Sequence, residues 1–294
     1  MITRLAATAA AVLGLALGLV ATAPAANAAA RNGSCESGEF CLYYNSGATG
    51  SLVDLVHSQR DYGTGPGCIT FVSAGNGRGQ CVKNNTAAVW NRTGKQVYVF
   101  YNSDFGGVHD IIPAGAKVDL NANVKNDNAS QIIGDASLRF PLNVSQATVK
   151  NQSPLTWCWN SRTNCHHDYN AADIFAPTGT AVVSPVAGTV MTVRPGSETA
   201  GATATVKDAF GRLWFFQHMD NDPGPVVHVG QHLTKGDRVG TVGTRAHAMG
   251  TQPHLHLDMR VGVDERVSCT GAACAGYGFV NNQPLLRTAF LRRP

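Results

Sequence analysis

The chain has 294 residues and a formal net charge of +4, and charged side chains make up only 14% of it. Because this charge is mild and the chain has no run of Lys or Arg, we do not expect nucleic acid as a partner. A membrane-spanning class is also disfavoured, since no stretch reaches the roughly 20 apolar residues that spanning requires.

The first residues are typical of a secretory signal peptide. They carry one basic side chain, Arg4, then an apolar stretch from Leu5 to Val20, and small residues that end at Ala28. Cleavage after Ala28 would leave 266 residues with 22 basic and 19 acidic side chains, enough for two medium domains. We therefore predict a secreted protein that is extracellular or associated with the cell wall.

Eight cysteines follow this leader, as expected of a protein that folds in an oxidising compartment. None of their spacings is CxxC, which argues against a zinc ribbon. Sequential pairing is the simplest prediction because it closes only short loops, although eight cysteines allow about 105 connectivities and the pairing stays open. The four predicted disulfides are Cys35–Cys41, Cys68–Cys81, Cys158–Cys165 and Cys269–Cys274.

Residues 31–138 are predicted to form an all-β domain. They are rich in Gly, Asn, Ser and aromatic residues and show short alternating runs without a helical period. A Tyr-Asn-Ser triplet begins at Tyr44 and again at Tyr101, and a glycine follows each tyrosine by six positions, at Gly50 and Gly107. This repeat predicts two similar strand-hairpin units.

The repeated hairpin, with the run GEFCLYYN before it, resembles the Greek-key unit of the βγ-crystallins and of the small secreted microbial metalloproteinase inhibitors that share that fold. The resemblance implies a Greek-key sandwich. Crystallin-type calcium sites are matched only in part by VKNNTAAVWN and VKNDNASQI, so calcium binding stays open. A poorly patterned stretch from Arg139 to Leu155 follows, and we predict the domain boundary at its start.

Residues 139–294 are also predicted to be mostly β, because short β-branched runs alternate with Gly and Pro. Near the end, the run QPHLHLDMR alternates like a strand. In a strand His254 and His256 would point to the same face, about 6.5–7 Å apart, which suits a metal site. The alternative is that the two rings merely form the polar face of a half-exposed strand.

Two further clusters precede this pair: NCHHDYNAAD, which ends at Asp173, and WFFQHMD around His218. A hydrolytic zinc site needs three protein ligands, one open position and a nearby base, and these clusters supply enough groups. Taken singly, His218 could equally be a core histidine and Asp173 a strand-edge carboxylate.

The order of these clusters, with VHVGQHLTKGDRVGTVG between the last two, resembles the LytM/lysostaphin-type zinc endopeptidases that cleave peptide bonds in bacterial peptidoglycan. The resemblance spans most of residues 165–260. It implies that Asp173 and His256 bind zinc together with a histidine shortly before Asp173. We expect that histidine to be His166, because HHDYNAAD fits the longer spacing H-x-x-Y-x-A-x-D, and His167 is the alternative.

The resemblance assigns His218 and His254 to catalysis rather than to the metal. They would orient and deprotonate the attacking water and protonate the leaving amine. Asp258 shares a face with His256 and would either support it or be a solvated strand residue. Phe216 stands where family members often have a tyrosine. Five histidines receive no role from the pattern: His57, His109, His228, His232 and His247.

These features predict a secreted zinc metalloendopeptidase, with Zn²⁺ as cofactor, that hydrolyses stem or cross-bridge peptides of peptidoglycan. The fold expected is all-β, with a βγ-crystallin-like sandwich at 31–138 followed by a β-rich peptidase domain at 139–294, and the protein is expected to be a monomer. The alternative is a secreted proteinase inhibitor or wall-binding protein whose C-terminal domain is a scaffold. For the N-terminal domain, self-inhibition, inhibition of other proteinases and wall targeting all stay open.

Overall fold

The computed structural model describes residues 30–144, 169–262 and 278–292. The leader, His166, His167 and the predicted disulfides Cys158–Cys165 and Cys269–Cys274 lie outside these ranges. Within these three ranges, no helix has the length and apolar character needed to cross a membrane.

The N-terminal half is a sandwich of two antiparallel sheets. The first sheet has the order β2-β1-β3-β6 and the second the order β5-β4-β7. Since β6 follows β5 in the chain but joins the first sheet, the chain crosses between the two sheets more than once. The strands are β1 (Phe40–Asn45), β2 (Thr49–Leu55), β3 (Ala88–Asn91), β4 (Val97–Phe100), β5 (His109–Ile112), β6 (Lys117–Asp119) and β7 (Ser130–Ile133).

The predicted repeat is confirmed as two equivalent hairpins, β1–β2 and β4–β5. Gly50 and Gly107 both have positive φ, +74° and +81°. A Cβ at either glycine would lie 2.9 or 2.8 Å from the Nδ2 atom of Asn45 or Asn102, the asparagines of the two Tyr-Asn-Ser triplets. The same asparagine–glycine turn is therefore built twice, and only glycine fits it.

The sandwich has its own apolar core between the sheets. Phe40 and Leu42 of β1 meet Val97 and Val99 of β4 in one buried cluster, because alternate residues of a strand share a face. The predicted disulfides Cys35–Cys41 and Cys68–Cys81 are both present in this half.

The described part of the C-terminal half contains nine strands and one helix. Its main sheet has the order β13-β10-β11-β12-β15-β16, β8 also pairs with β15, and β9 and β14 form a separate ribbon. The all-β fold class is confirmed, while helix α1 was not expected from the sequence. The elements are β8 (Ala172–Phe175), β9 (Ala181–Val183), β10 (Gly188–Arg194), β11 (Ala202–Asp208), β12 (Leu213–Met219), β13 (His232–Leu233), β14 (Arg238–Thr241), β15 (His254–Arg260), β16 (Phe279–Val280) and α1 (Gln283–Leu291).

Strand β15 has one apolar and one polar face, and it is buried along its whole length. Leu255, Leu257 and Met259 belong to the same hydrophobic cluster as Leu285 and Leu286 of α1. The intervening residues, which include both histidines, point to the opposite face. The sheet therefore separates an apolar core from a polar, histidine-bearing surface.

The stretch that follows the sandwich pairs with the C-terminal half. The Arg139 amide donates to the Pro185 carbonyl at 2.9 Å, and the Asn143 amide donates to the Ala181 carbonyl at 3.0 Å. The boundary between residues 138 and 139 stays a prediction.

Replacing Cys68 and Cys81 by alanine should lower the free energy of unfolding by about 3 kcal/mol. The disulfide closes a loop of 13 residues, and the estimate follows from the chain entropy that such a loop removes from the unfolded state. Urea unfolding of the variant and the wild type, both without reductant, measures the loss. An unchanged midpoint would show that this disulfide does not restrain the unfolded chain.

Candidate functional site

The centre of the site is the pairing of strands β8 and β15. Their antiparallel register sets Asp173 directly opposite His256, and both side chains point to the polar face. The Nδ1 atom of His256 lies 2.9 Å from Oδ1 of Asp173. The Nε2 atom of His254 lies 3.7 Å from the same oxygen, so two imidazoles converge on one carboxylate.

His218 reaches this face through a β-bulge in β12. Between the pairs Ala202–Met219 and Ala204–Phe216, two residues of β12 oppose one residue of β11. His218 has a φ of +65°, an uncommon conformation for a residue with a side chain. Without the extra residue it would point into the core like Phe216; with it, the His218 ring lies 4.7 Å from that of His254 and 6.0 Å from that of His256, centroid to centroid.

Backbone carbonyls fix the orientation of two of the rings. Nδ1 of His218 lies 2.8 Å from the His247 carbonyl oxygen, and Nδ1 of His254 lies 2.7 Å from the Gln252 carbonyl oxygen. A carbonyl only accepts, so each Nδ1 carries the proton in these contacts. The neutral rings are therefore held with Nε2 as the acceptor.

The other nitrogen of His256 faces a buried ion pair. Nε2 lies 3.5 Å from Oδ2 of Asp258, whose carboxylate accepts hydrogen bonds from Nε and Nη2 of Arg260 at 2.7 and 2.8 Å. The Arg260 guanidinium lies between the rings of Phe215 and Phe279, at 4.5 and 4.7 Å from their centroids. Asp258 is fully buried, so it supports His256 and is not a solvated strand residue.

Tyr169 lies beside the same nitrogen. Its hydroxyl is 3.4 Å from Nε2 of His256, and its ring packs against that of Phe279 at a tilt of 36°, with centroids 4.1 Å apart. Tyr169 thus stands on the Asp258 side of the imidazole and not on the Asp173 side.

Burial and charge shift the pKa values of the three histidines in different ways. For His218, burial and then the neighbouring His254 and His256 lower the pKa to about 3. Burial also lowers the pKa of His254, against the opposing effect of Asp173. Burial alone would lower the pKa of His256 as well, but hydrogen bonds to Asp173 and Asp258 outweigh it and raise this pKa to about 9.

The structure brings together four of the five residues that the sequence singled out: Asp173, His218, His254 and His256. The fifth, His166, and its alternative His167 lie outside the described residues. Among the described side chains, no group of three His, Cys, Asp or Glu is arranged to hold a metal ion. The roles of these residues stay predictions.

Sequence reasoning missed the contributions of three residues. The backbone carbonyls of His247 and Gln252 hold His218 and His254, and a carbonyl leaves no signal in the sequence. The ion pair of Arg260 with Asp258 was also missed, although the spacing Asp-x-Arg on the strand of the HxH pair could have indicated it. Phe216 is fully buried in the apolar core, so a tyrosine at this position of the strand would not face the histidines.

The donor set at Asp173 and His256 fits a bound metal. A carboxylate oxygen and an imidazole nitrogen face each other across 2.9 Å, and a proton is retained there to high pH. A cation could take the place of that proton, and zinc accepts both oxygen and nitrogen ligands. Asp258 would then keep the Nε2 proton and leave Nδ1 free to bind the metal.

Two family models match parts of this chain. Residues 167–268 match peptidase family M23, and residues 28–112 match peptidase inhibitor family I36. The chain therefore contains a peptidase domain of the first family and an inhibitor domain of the second, and both resemblances inferred from the sequence are confirmed. No curated protein matches the chain significantly.

Solved structures resemble each half. The antimicrobial peptidase lysostaphin of Staphylococcus simulans is 20% identical over 42% of this chain and 48% of its own, with a TM-score of 0.32. The chain thus spans about half the length of that protein. A variant of the catalytic domain of the prophage-encoded M23 protein EnpA from Enterococcus faecalis is 24% identical over 40% of this chain and 85% of its own, at a TM-score of 0.30. A structure from work on the evolution of the eye-lens βγ-crystallin domain is 15% identical over 33% of this chain and 86% of its own, with a TM-score of 0.27.

The opposite pKa shifts of His256 and His218 predict how the stability of the metal-free protein depends on pH. The pKa of His256 is higher in the folded state, so its stabilisation is complete below 6.5 and is lost as pH rises through about 9. The pKa of His218 is lower in the folded state, so stability falls as pH drops from 6.5 towards about 3.

Urea unfolding after removal of metal by a chelator should measure both effects. His256→Gln should flatten the alkaline side of the stability profile, and His218→Gln the acid side. The exposed His228 supplies a control variant, His228→Gln, which should leave the profile unchanged. A His256→Gln profile that still falls between pH 6.5 and 9 as in the wild type would contradict the expectation.

Proposed function

We propose that this protein is a zinc metalloendopeptidase that hydrolyses stem or cross-bridge peptides of bacterial peptidoglycan. One observation carries the proposal: within the M23 peptidase domain, Asp173 and His256 meet at 2.9 Å, and His218 and His254 surround them on the same face. The peptidoglycan substrate and a wall-associated location are supported by the sequence motifs and the leader.

Asp173, His256 and the predicted His166 would hold the zinc ion. When bound, zinc polarises the scissile carbonyl and lowers the pKa of water. The protein contributes position: Asp173 is fixed by the β8–β15 register, and His256 is fixed between Asp173 and Asp258.

His218 and His254 would move the protons. Their lowered pKa values keep both rings neutral at pH 7, with Nε2 unprotonated. Asp173, 3.7 Å from Nε2 of His254, favours a proton on that ring, so His254 would accept the proton, and His218, a weaker base, would orient the water. The carbonyls of His247 and Gln252 hold Nδ1–H of each ring and stabilise the imidazolium that forms. The proton can then pass to the leaving amine, which completes the hydrolysis.

A second candidate function is inhibition of another peptidase, because residues 28–112 match inhibitor family I36. Such a protein would form a complex with a target peptidase and would not degrade walls itself. A direct assay of wall hydrolysis therefore distinguishes the two functions.

We expect the mature protein to contain about one zinc ion, as a three-ligand site would, and to clear suspensions of purified cell walls. His256→Gln and Asp173→Asn should lose both properties, because each removes a ligand. His254→Gln should keep the zinc and lose at least about 100-fold in rate, because only proton transfer is affected. Metal analysis and turbidity measure the two properties.

His228→Gln is the matched control, since it changes an exposed histidine away from the site. It should keep both the zinc and the activity. A wild-type protein that takes up no zinc, even when zinc is added, would overturn the metalloenzyme proposal. A wild-type protein that binds zinc but leaves walls intact would favour the inhibitor function.

Asp258→Asn should weaken zinc binding about 10- to 100-fold, because the orientation and basicity of His256 depend on the carboxylate beside Nε2. Asp208→Asn is the matched control: Asp208 also forms a buried ion pair, with Arg212 at 2.6 Å, but touches no histidine of the site. Both variants should be less stable, and only Asp258→Asn should bind zinc more weakly. If Asp258→Asn and the wild type bind zinc equally well in competition with a chelating dye, Asp258 does not support the metal site.

A further inference from the structure

Strand β4, the central strand of the second sheet of the N-terminal sandwich, is buried on both faces. Val97 and Val99 of β4 point into the sandwich's own core. Tyr98 and Phe100, which point the other way, are also buried, at 1% and 0% exposure. In a free-standing sandwich this outer face would meet water.

The C-terminal half covers that outer face. Six buried N-terminal side chains belong to one hydrophobic cluster with the core of the peptidase domain: Tyr98, Phe100, Phe105, Ile132, Ala136 and Leu138. The connecting stretch adds Phe140, whose ring contacts Phe290 of α1 at 5.5 Å. The two domains therefore share a continuous apolar core.

Polar contacts surround this shared core. The Gly107 amide donates to the Asn281 carbonyl at 3.3 Å, and Lys235 pairs with Asp135 at 2.6 Å. Gly106 lies so close to β16 that a Cβ there would be 2.4 Å from Cγ1 of Val280. These contacts fix the docked position at several separate points.

The docked domain lies behind the sheet that carries the histidines. Val280 pairs with Met259, and both belong to the apolar cluster on the face opposite His256. Arg60 reaches Gly262, just beyond the end of β15. Gly262 lies six positions after His256, which is about 20 Å along an extended chain.

We propose that the I36-like domain is a permanent rear support of the peptidase domain and does not inhibit the site of its own chain. β16, α1 and the connecting stretch cover its outer sheet face, so that face cannot bind another peptidase. Its removal would expose apolar surface on both halves. The statement about inhibition rests on the proposed peptidase function, whereas the statement about support does not.

Gly106→Leu in the mature full chain tests the proposal. The backbone of Gly106 has an ordinary negative φ, so a leucine there causes no backbone strain, and its Cβ would clash with Val280. Gly67→Leu is the matched control, because nothing lies within 4 Å of a Cβ at that glycine. Lys235→Glu is a milder second variant that sets two carboxylates together at the half-exposed rim, and Asp135→Lys combined with Lys235→Glu should reverse its effect.

Calorimetry and the rate of hydrolysis of a soluble stem or cross-bridge peptide are the two readouts. We expect a single unfolding transition in the wild type, a midpoint about 5 °C lower in Gly106→Leu, and no rise in the rate in either interface variant. Two separate transitions in the wild type, or a rate that rises several-fold on weakening the interface, would overturn the proposal. Since calorimetry needs no activity, a protein that is inactive on peptides would refute the proposed function and still leave the docking tested.

Discussion

The contact between Asp173 and His256 across strands β8 and β15 is the interaction on which the site depends. Directly opposed residues of an antiparallel pair lie close enough to touch, so the register alone brings a carboxylate to an imidazole. Both groups are largely buried, and buried charge requires a partner. Asp258 and Arg260 continue the polar chain along the same face of β15, which leaves the opposite face free for the apolar core.

A second constraint follows from the regular alternation of a strand. Strand β12 must place Phe216 and Met219 in the core, yet the site needs His218 on the other face. A single extra residue resolves the conflict, at the cost of a left-handed backbone conformation at His218. Strain of this kind is found where surrounding structure enforces it. Here Gly243 donates to the His218 carbonyl while the His247 carbonyl holds the ring.

Much of this arrangement could be predicted from the sequence, because it depends on local pattern. Alternation along HLHLDMR puts both histidines on one face, close cysteines pair, and the two Tyr-Asn-Ser triplets mark two like hairpins. The bulge at His218 could not be predicted, since FFQHM reads as an ordinary strand. The same holds for the buried Asp258–Arg260 pair, whose burial comes from Phe215 and Phe279. The alternation of β4 also could not show which part of the chain would cover Tyr98 and Phe100.

The apolar core that the two domains share stabilises the sheet whose other face carries the buried polar groups. A buried ion pair such as Asp258–Arg260 commonly contributes little net stability, because desolvation offsets its attraction. The apolar face behind it must therefore supply the stability that holds the polar face in place. The N-terminal domain adds six buried apolar side chains to that face, three of them aromatic. On this argument the domain that matches an inhibitor family stabilises the sheet that carries the histidines, because a histidine site on a strained strand requires a rigid backing.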